Sequence, residues 1–162
     1  MSDTHNSTLF KDRLPLLPDA ICTLFSGAGL ETPSGEAFSL LTVDETGRPH
    51  TSLLSAGELW APDASSMRIA LWPSARAVAH LARSRRAALS GVCADTFFQI
   101  QLDQVDVLGT AQGLQCFTAQ VEYVETQRVA YARLQNGIIF VLEDDAVRVR
   151  WRAQLAALKL LQ

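Results

Sequence analysis

The residues best placed to do chemistry fall within 67–89, where strand periodicity gives way to helical periodicity. Met67, Ile69 and Leu71 alternate with Arg68, Ala70 and Trp72, and Pro73 ends the run because it has no N–H to give to a ladder. Ser74 then stands where an N-cap is wanted, Arg76 falls in the first turn, and Val78, Leu81 and Ala82 recur at helical spacing. A helix opening out of a strand leaves N–H groups without intrahelical partners at the positive end of its dipole. With a hydroxyl and a guanidinium beside them, that is the chemistry of a phosphate site. Taken alone, the same pair is more often structural, since serine is a common N-cap and a first-turn arginine is usually solvated.

Other constellations carry less. Ser26 in FSGAG lacks the GxSxG elbow of a serine nucleophile, and GAGLETPSG has neither of the glycine spacings that cradle phosphates. Cys22, Cys93 and Cys116 are an odd number without CxxC spacing, and His5, His50 and His80 are scattered, so no metal site is expected and the thiols read as buried and reduced. Asp144 and Asp145 fit a helix cap better than a metal site. His50, following Pro49 at the mouth of a hairpin, reads as an exposed loop histidine.

Around these residues the periodicity predicts a short helix after Pro18, a loop over 28–36, a strand over 38–43 and a turn at 44–47. A return strand over 51–60 pairs Ser52 and Ser55 with Leu53 and Leu54, a pattern that fits a packed edge or a surface against which something flat could lie. After the 67–89 unit come strands over 86–92, 97–108 and 117–124. Residues 126–136 permit a short helix, and 138–142 read as a buried strand. A C-terminal helix follows, capped by the acidic run 143–145 and striped by Val147, Trp151, Leu155 and Leu158. Residues 1–14 have the small polar composition of a loosely attached arm, leaving 15–162 as one domain. Strands joined mainly by tight turns favour an antiparallel, closed or half-closed barrel.

The chain has 162 residues, 48% hydrophobic and 19% charged, which is enough to bury roughly two-thirds of its unfolded surface without staples. A net charge of −3 offers no footprint for nucleic acid. No signal peptide or spanning run is present, so a cytoplasmic, non-membrane protein is expected.

Three segments in order, TVDETGRPHTSLLS, RIALWPSARAVAHLARSRRAALS and a strand containing DQVDVLG, resemble the pyridoxamine 5'-phosphate oxidase-like superfamily of FMN-binding split barrels. The similarity covers residues 37–109. It implies a mainly β fold with flanking helices, an antiparallel six-stranded split β-barrel, assembled as a homodimer with FMN in clefts at the interface. In that family a serine followed by two basic residues holds the flavin phosphate. Arg76 matches the first basic position, Ala75 and Ala77 depart from the pattern, and Ser74 lies one place early. The isoalloxazine ring would lie against Ser52, Leu53, Leu54 and Ser55 and against Leu71 and Trp72. Gln104 matches the glutamine before the family's Val-x-Val-x-Gly run. The Arg-x-His element that true pyridoxamine phosphate oxidases use for substrate phosphate has no counterpart after Gly109. The resemblance therefore implies an FMN-dependent oxidoreductase acting on some other small molecule. The rival readings are a non-catalytic flavin or haem carrier, for which His50 and His80 are the histidine candidates, and a split barrel that has lost its cofactor.

Overall fold

The computed structural model describes residues 9–30 and 34–162. Among the described residues nine strands and three helices follow in the order β1 (Leu9–Leu14), α1 (Asp19–Leu24), β2 (Ser34–Val43), β3 (Pro49–Leu54), β4 (Leu59–Asp63), β5 (Ser66–Leu71), α2 (Arg76–Ser84), β6 (Ala87–Cys93), β7 (Thr96–Ala111), β8 (Leu114–Val129), β9 (Ile138–Val141) and α3 (Ala146–Leu160). Every pairing is antiparallel, in the order β3-β2-β6-β7-β8-β5-β4, with β1 added to β8 and β9 to β2. The end strands β3 and β4 are consecutive in sequence yet share no ladder. The sheet curls without closing, which is a split barrel, with the three additional short strands extending the six expected.

The barrel fills with the inward residues that alternation marks out. Leu40, Met67, Ile69, Leu89, Ile100, Leu102 and Phe117 are buried, and Phe25, the C-cap of α1, closes one end edge-to-face against Phe38 and Phe98. A second apolar layer lies outside, where Trp151, Leu155 and Leu158 of α3 pack on Ala70, Leu114 and Cys116. β5 is thus covered on both faces, and its small Ala70 admits the helix. Arg68, on the same outer face, ties the helix down: its Nη1 donates to the carbonyls of Leu158 and Leu161 at 2.7 Å each, satisfying acceptors that the helix end leaves open.

Several expectations are corrected. Residues 9–14, grouped with the arm, form β1, because β8 is long enough for its edge to pair with both β5 and β1. Residues 1–8 of that arm, and 31–33 of the predicted loop, lie outside the described residues. Residues 126–136, which permit a short helix, instead form the end of β8 and a turn closed by a bridge between Val129 and Ala132. β9 is mostly exposed rather than buried, with Ile138, Ile139 and Val141 at 52%, 66% and 69% exposure, since it lies at the margin of the sheet, paired with the start of β2, while Phe140 packs on Trp151. Of the three thiols, only Cys116 is fully buried.

The β2–β3 turn shows why its sequence is DETG. Asp44 accepts hydrogen bonds from the backbone N–H groups of Thr46 and Arg48, the Thr46 hydroxyl and His50 Nε2, and Gly47 takes φ +85°. The Thr46 hydroxyl and His50 are the foremost causes that hold the Asp44 carboxyl far below the usual carboxylate range. A depressed folded-state pKa contributes stability above the unfolded value, and that contribution is lost as pH falls below about 4. Acid unfolding of wild type and Asp44→Asn followed by circular dichroism should therefore diverge at neutral pH and converge toward strong acid; a constant gap would remove the assignment.

Candidate functional site

The return strand predicted over 51–60 is interrupted, and the interruption shapes the site. Ser55-Ala56-Gly57-Glu58 forms a capping box around a 3₁₀ turn at Ala56–Glu58. The Ser55 N–H donates to Glu58 Oε2 at 2.8 Å, and the Gly57 N–H donates to Ser55 Oγ at 3.2 Å. The S-x-x-E spacing is itself a capping signal, and the residue types of SAGE suffice to show it. Ser55 is consequently 8% exposed and its hydroxyl is engaged within the chain. Burial pushes the Glu58 carboxyl up, opposed by the hydrogen bonds from Ser55 and by the charge of Arg150.

Gly57 is required by what lies over it. A Cβ there would fall 2.2 Å from Cγ of Trp151, so the indole of α3 rests directly on the glycine backbone. Gly57→Ala should cost about 1–3 kcal/mol by overpacking, read as a lowered urea midpoint; an unchanged midpoint would mean that α3 is not seated there.

Beside this turn runs a groove of about 310 Å³ whose walls include Leu53, Leu54, Ser55, Glu58, Arg150 and Trp151. Three of the expected cofactor positions, Leu53, Leu54 and Ser55, therefore share one concavity. Leu54 is buried and Leu53 is 55% exposed, as the two-residue period of β3 requires. Arg150 connects the groove to a fourth: its guanidinium lies 5.6 Å from the ring centroid of Trp72, which is itself 50% exposed. Arg150, on α3, is the residue that sequence reasoning missed, because nothing in VRVRW marks which arginine faces the sheet.

The remaining expected positions are distributed differently. Leu71 is buried in the barrel, so only its backbone is available to a ligand. Ser74 is not the N-cap. Pro73 favours the second position of a β-turn, Ala75 N–H donates to Trp72 carbonyl at 2.9 Å, and the helix starts one residue later with Ala75 as N-cap and no side-chain cap. Ser74 is left exposed on that turn, and Arg76 is exposed at the first helical position. Ser52 lies on β3 opposite Leu40 and is partly buried. Gln104 sits in a bulge of β7 at φ +47°, its N–H held by Asp103 Oδ1 at 2.8 Å. The next residue's N–H donates to the Arg85 carbonyl, which places Gln104 beside the exit of α2 rather than its entrance. At that exit Arg85 and Arg86 pair with Asp106 and Asp103, tethering the end of the helix to the sheet.

Among the described residues no three His, Cys, Asp or Glu side chains converge to hold a metal ion, and no helix is long and apolar enough to cross a membrane.

No protein-family model matches the chain. An uncharacterized protein of Bacillus subtilis (strain 168), YclD, is 29% identical over 151 residues, covering 91% of this chain and 98% of its own. The crystal structure of a provisionally assigned pyridoxamine 5'-phosphate oxidase from Lactobacillus delbrueckii superposes on 68% of this chain and 93% of its own, with 18% identity and a TM-score of 0.51. That of an FMN-binding protein from Syntrophomonas wolfei covers 55% of this chain and 75% of its own, with 10% identity and a TM-score of 0.45.

Proposed function

We propose that this chain, which has the split-barrel fold of the pyridoxamine 5'-phosphate oxidase-like superfamily, binds FMN and serves as an oxidoreductase toward a small molecule. The observation that carries the reading is the free edge of β3. It is the end strand of the sheet, so one row of its N–H and C=O groups has no ladder partner among the described residues, and half-exposed Leu53 stands beside them over the groove. Unpaired backbone donors and acceptors next to an apolar side chain suit a flat ring with a polar rim. The hydroxyl of Ser55 does not suit that role, since the capping box uses it.

Bound FMN supplies hydride and electron transfer, chemistry that no side chain of this groove provides. The chain's own residues bind and orient. Arg76 offers a charge-assisted bond to the phosphate, with Ser52 and Ser74 as further polar contacts, whereas Gln104 of the same chain stands at the far end of α2. Trp72 and Leu53 give apolar surface, and partly buried Glu58 fixes the turn that supports the groove floor. A homodimer completes the cleft and covers both the β3 edge and the exposed Ile138, Ile139 and Val141 of β9.

The visible spectrum of the purified protein, and quenching of flavin fluorescence on titration with FMN, test the reading directly. Flavin bands or stoichiometric quenching are expected. A colourless protein that quenches no FMN would end it, and bound flavin that NAD(P)H fails to reduce would favour a non-catalytic carrier.

A further inference from the structure

The two histidines that the flavin reading leaves unassigned come together in the fold. His50 of β3 and His80 of α2 lie with ring centroids 5.2 Å apart and planes tilted by 40°. Each is held through a single nitrogen. His50 Nε2 is 2.8 Å from Asp44 Oδ2, and because an ionised carboxylate only accepts, that nitrogen carries hydrogen. His80 Nδ1 is 2.8 Å from Oγ1 of Thr42, a buried hydroxyl at 1% exposure. His80 Nε2 has no hydrogen-bond partner among the described residues.

This contact sets a register between strand and helix. Arg83, three residues beyond His80, donates to the Val43 carbonyl at 2.8 Å, one residue beyond Thr42, so α2 advances along the hairpin in the same sense as β2. In the other direction, Arg76 lies one helical turn before His80 on the same face, and Ser52 lies two residues from His50 on the same face of β3. The two expected anchoring segments are therefore side by side, with the histidine pair continuing the row that Arg76 begins. Arg76 makes no ion pair or hydrogen bond among the described residues.

The charges around the pair are unequal. Arg48 belongs to the hairpin, and Arg76 and Arg83 belong to α2. The hairpin's acids are Asp44, already saturated, and Glu45 on the exposed turn. From β7, the other strand packed against α2, Asp103 and Asp106 are engaged by Arg86 and Arg85.

We propose that His80, backed by His50, is a further phosphate-binding residue beside Arg76, becoming protonated as a phosphomonoester anion binds, so that His80 adds to affinity at acidic pH. The inference rests on the flavin reading for the identity of the phosphoester. Imidazole is the side chain that changes charge between pH 5 and 8. A proton on Nε2 leaves Nδ1–H free to keep its bond to Thr42, and it gives the phosphate oxygens a charge-assisted donor. The His50 ring, 5.2 Å away centroid to centroid, stands against that of His80 and limits how the imidazole can turn.

Because a phosphomonoester loses charge near pH 6 itself, the decisive quantity is a ratio between proteins at each pH. FMN affinity is measured by fluorescence quenching for wild type and His80→Gln at pH 8 and pH 5.5, with riboflavin as the phosphate-free probe. His80→Gln should bind FMN nearly as well as wild type at pH 8 and about tenfold more weakly at pH 5.5, with riboflavin unaffected. In the wild type alone, the Hε1 resonance of His80 should move on adding FMN at pH 6.5 and stay in place on adding riboflavin. A ratio near one at both pH values, or equal movement with both flavins, overturns the role of His80 while Arg76-dependent FMN binding keeps the flavin reading intact. FMN that binds no better than riboflavin and is indifferent to Arg76 overturns both.

Discussion

Trp151→Ala is expected to destabilise the protein by about 3–5 kcal/mol, the ordinary cost of truncating a buried tryptophan. Trp151 is 8% exposed and joins three structures at once. Its ring lies on Gly57 of the capped turn, meets Phe140 edge-to-face at 5.7 Å, and heads the α3 stripe of Leu155 and Leu158 against β5 and β8. Removing it takes away a wall of the Leu53–Ser55 groove along with the docking of the helix. Urea unfolding should show the lowered midpoint, and FMN affinity should fall with it. The pair with Gly57 gives a sharper check. Gly57→Ala should lose most of its cost in the Trp151→Ala background, because the clash partner is gone. Additive effects would mean that the two residues do not share that contact.

Arg76→Ala should weaken FMN binding by about 1.5–3 kcal/mol, roughly ten- to 150-fold, through loss of a charge-assisted phosphate contact. Arg76 is exposed and free of other partners among the described residues, so its removal carries little structural cost to confuse the reading. Riboflavin, which has no phosphate, should bind the variant and the wild type alike. Arg76→Lys should recover only part of the loss, since a lysine keeps the charge but not the planar fork. Unchanged FMN affinity in Arg76→Ala would move the phosphate elsewhere. If FMN binds as proposed, the alanines at 75 and 77 leave Arg76 to carry most of the phosphate contact.

The fold was legible wherever one face of an element is buried. Alternation of Met67, Ile69 and Leu71 and the Trp151–Leu155–Leu158 stripe report directly on which side meets the core, and both were found as read. The antiparallel barrel follows from strands joined by tight turns, and the DETG turn with its aspartate and positive-φ glycine is local chemistry. Local chemistry also misled. Ser74 reads as an N-cap, but Pro73 spends one more residue on a turn, and Ala75 takes the position. The break at Ser55 was present in the S-x-x-E spacing, where the strand periodicity on either side concealed it.

Local patterning alone marks most of the strands, the helices after Pro73 and Asp145, the DETG turn, and Arg76 and Ser52–Ser55 as candidates for chemistry. Which side chains meet was decided only by the tertiary structure. Arg150 reaches Trp72 because α3 packs across β5, and Gly57 must be glycine because an indole far along the chain, on α3, lands on it. His50 and His80, without any motif between them, become neighbours because α2 folds back along the hairpin. Periodicity encodes which face of an element is apolar and carries no record of the partner that covers it, so contacts across the fold become readable only once the sheet has curled and the helices have docked.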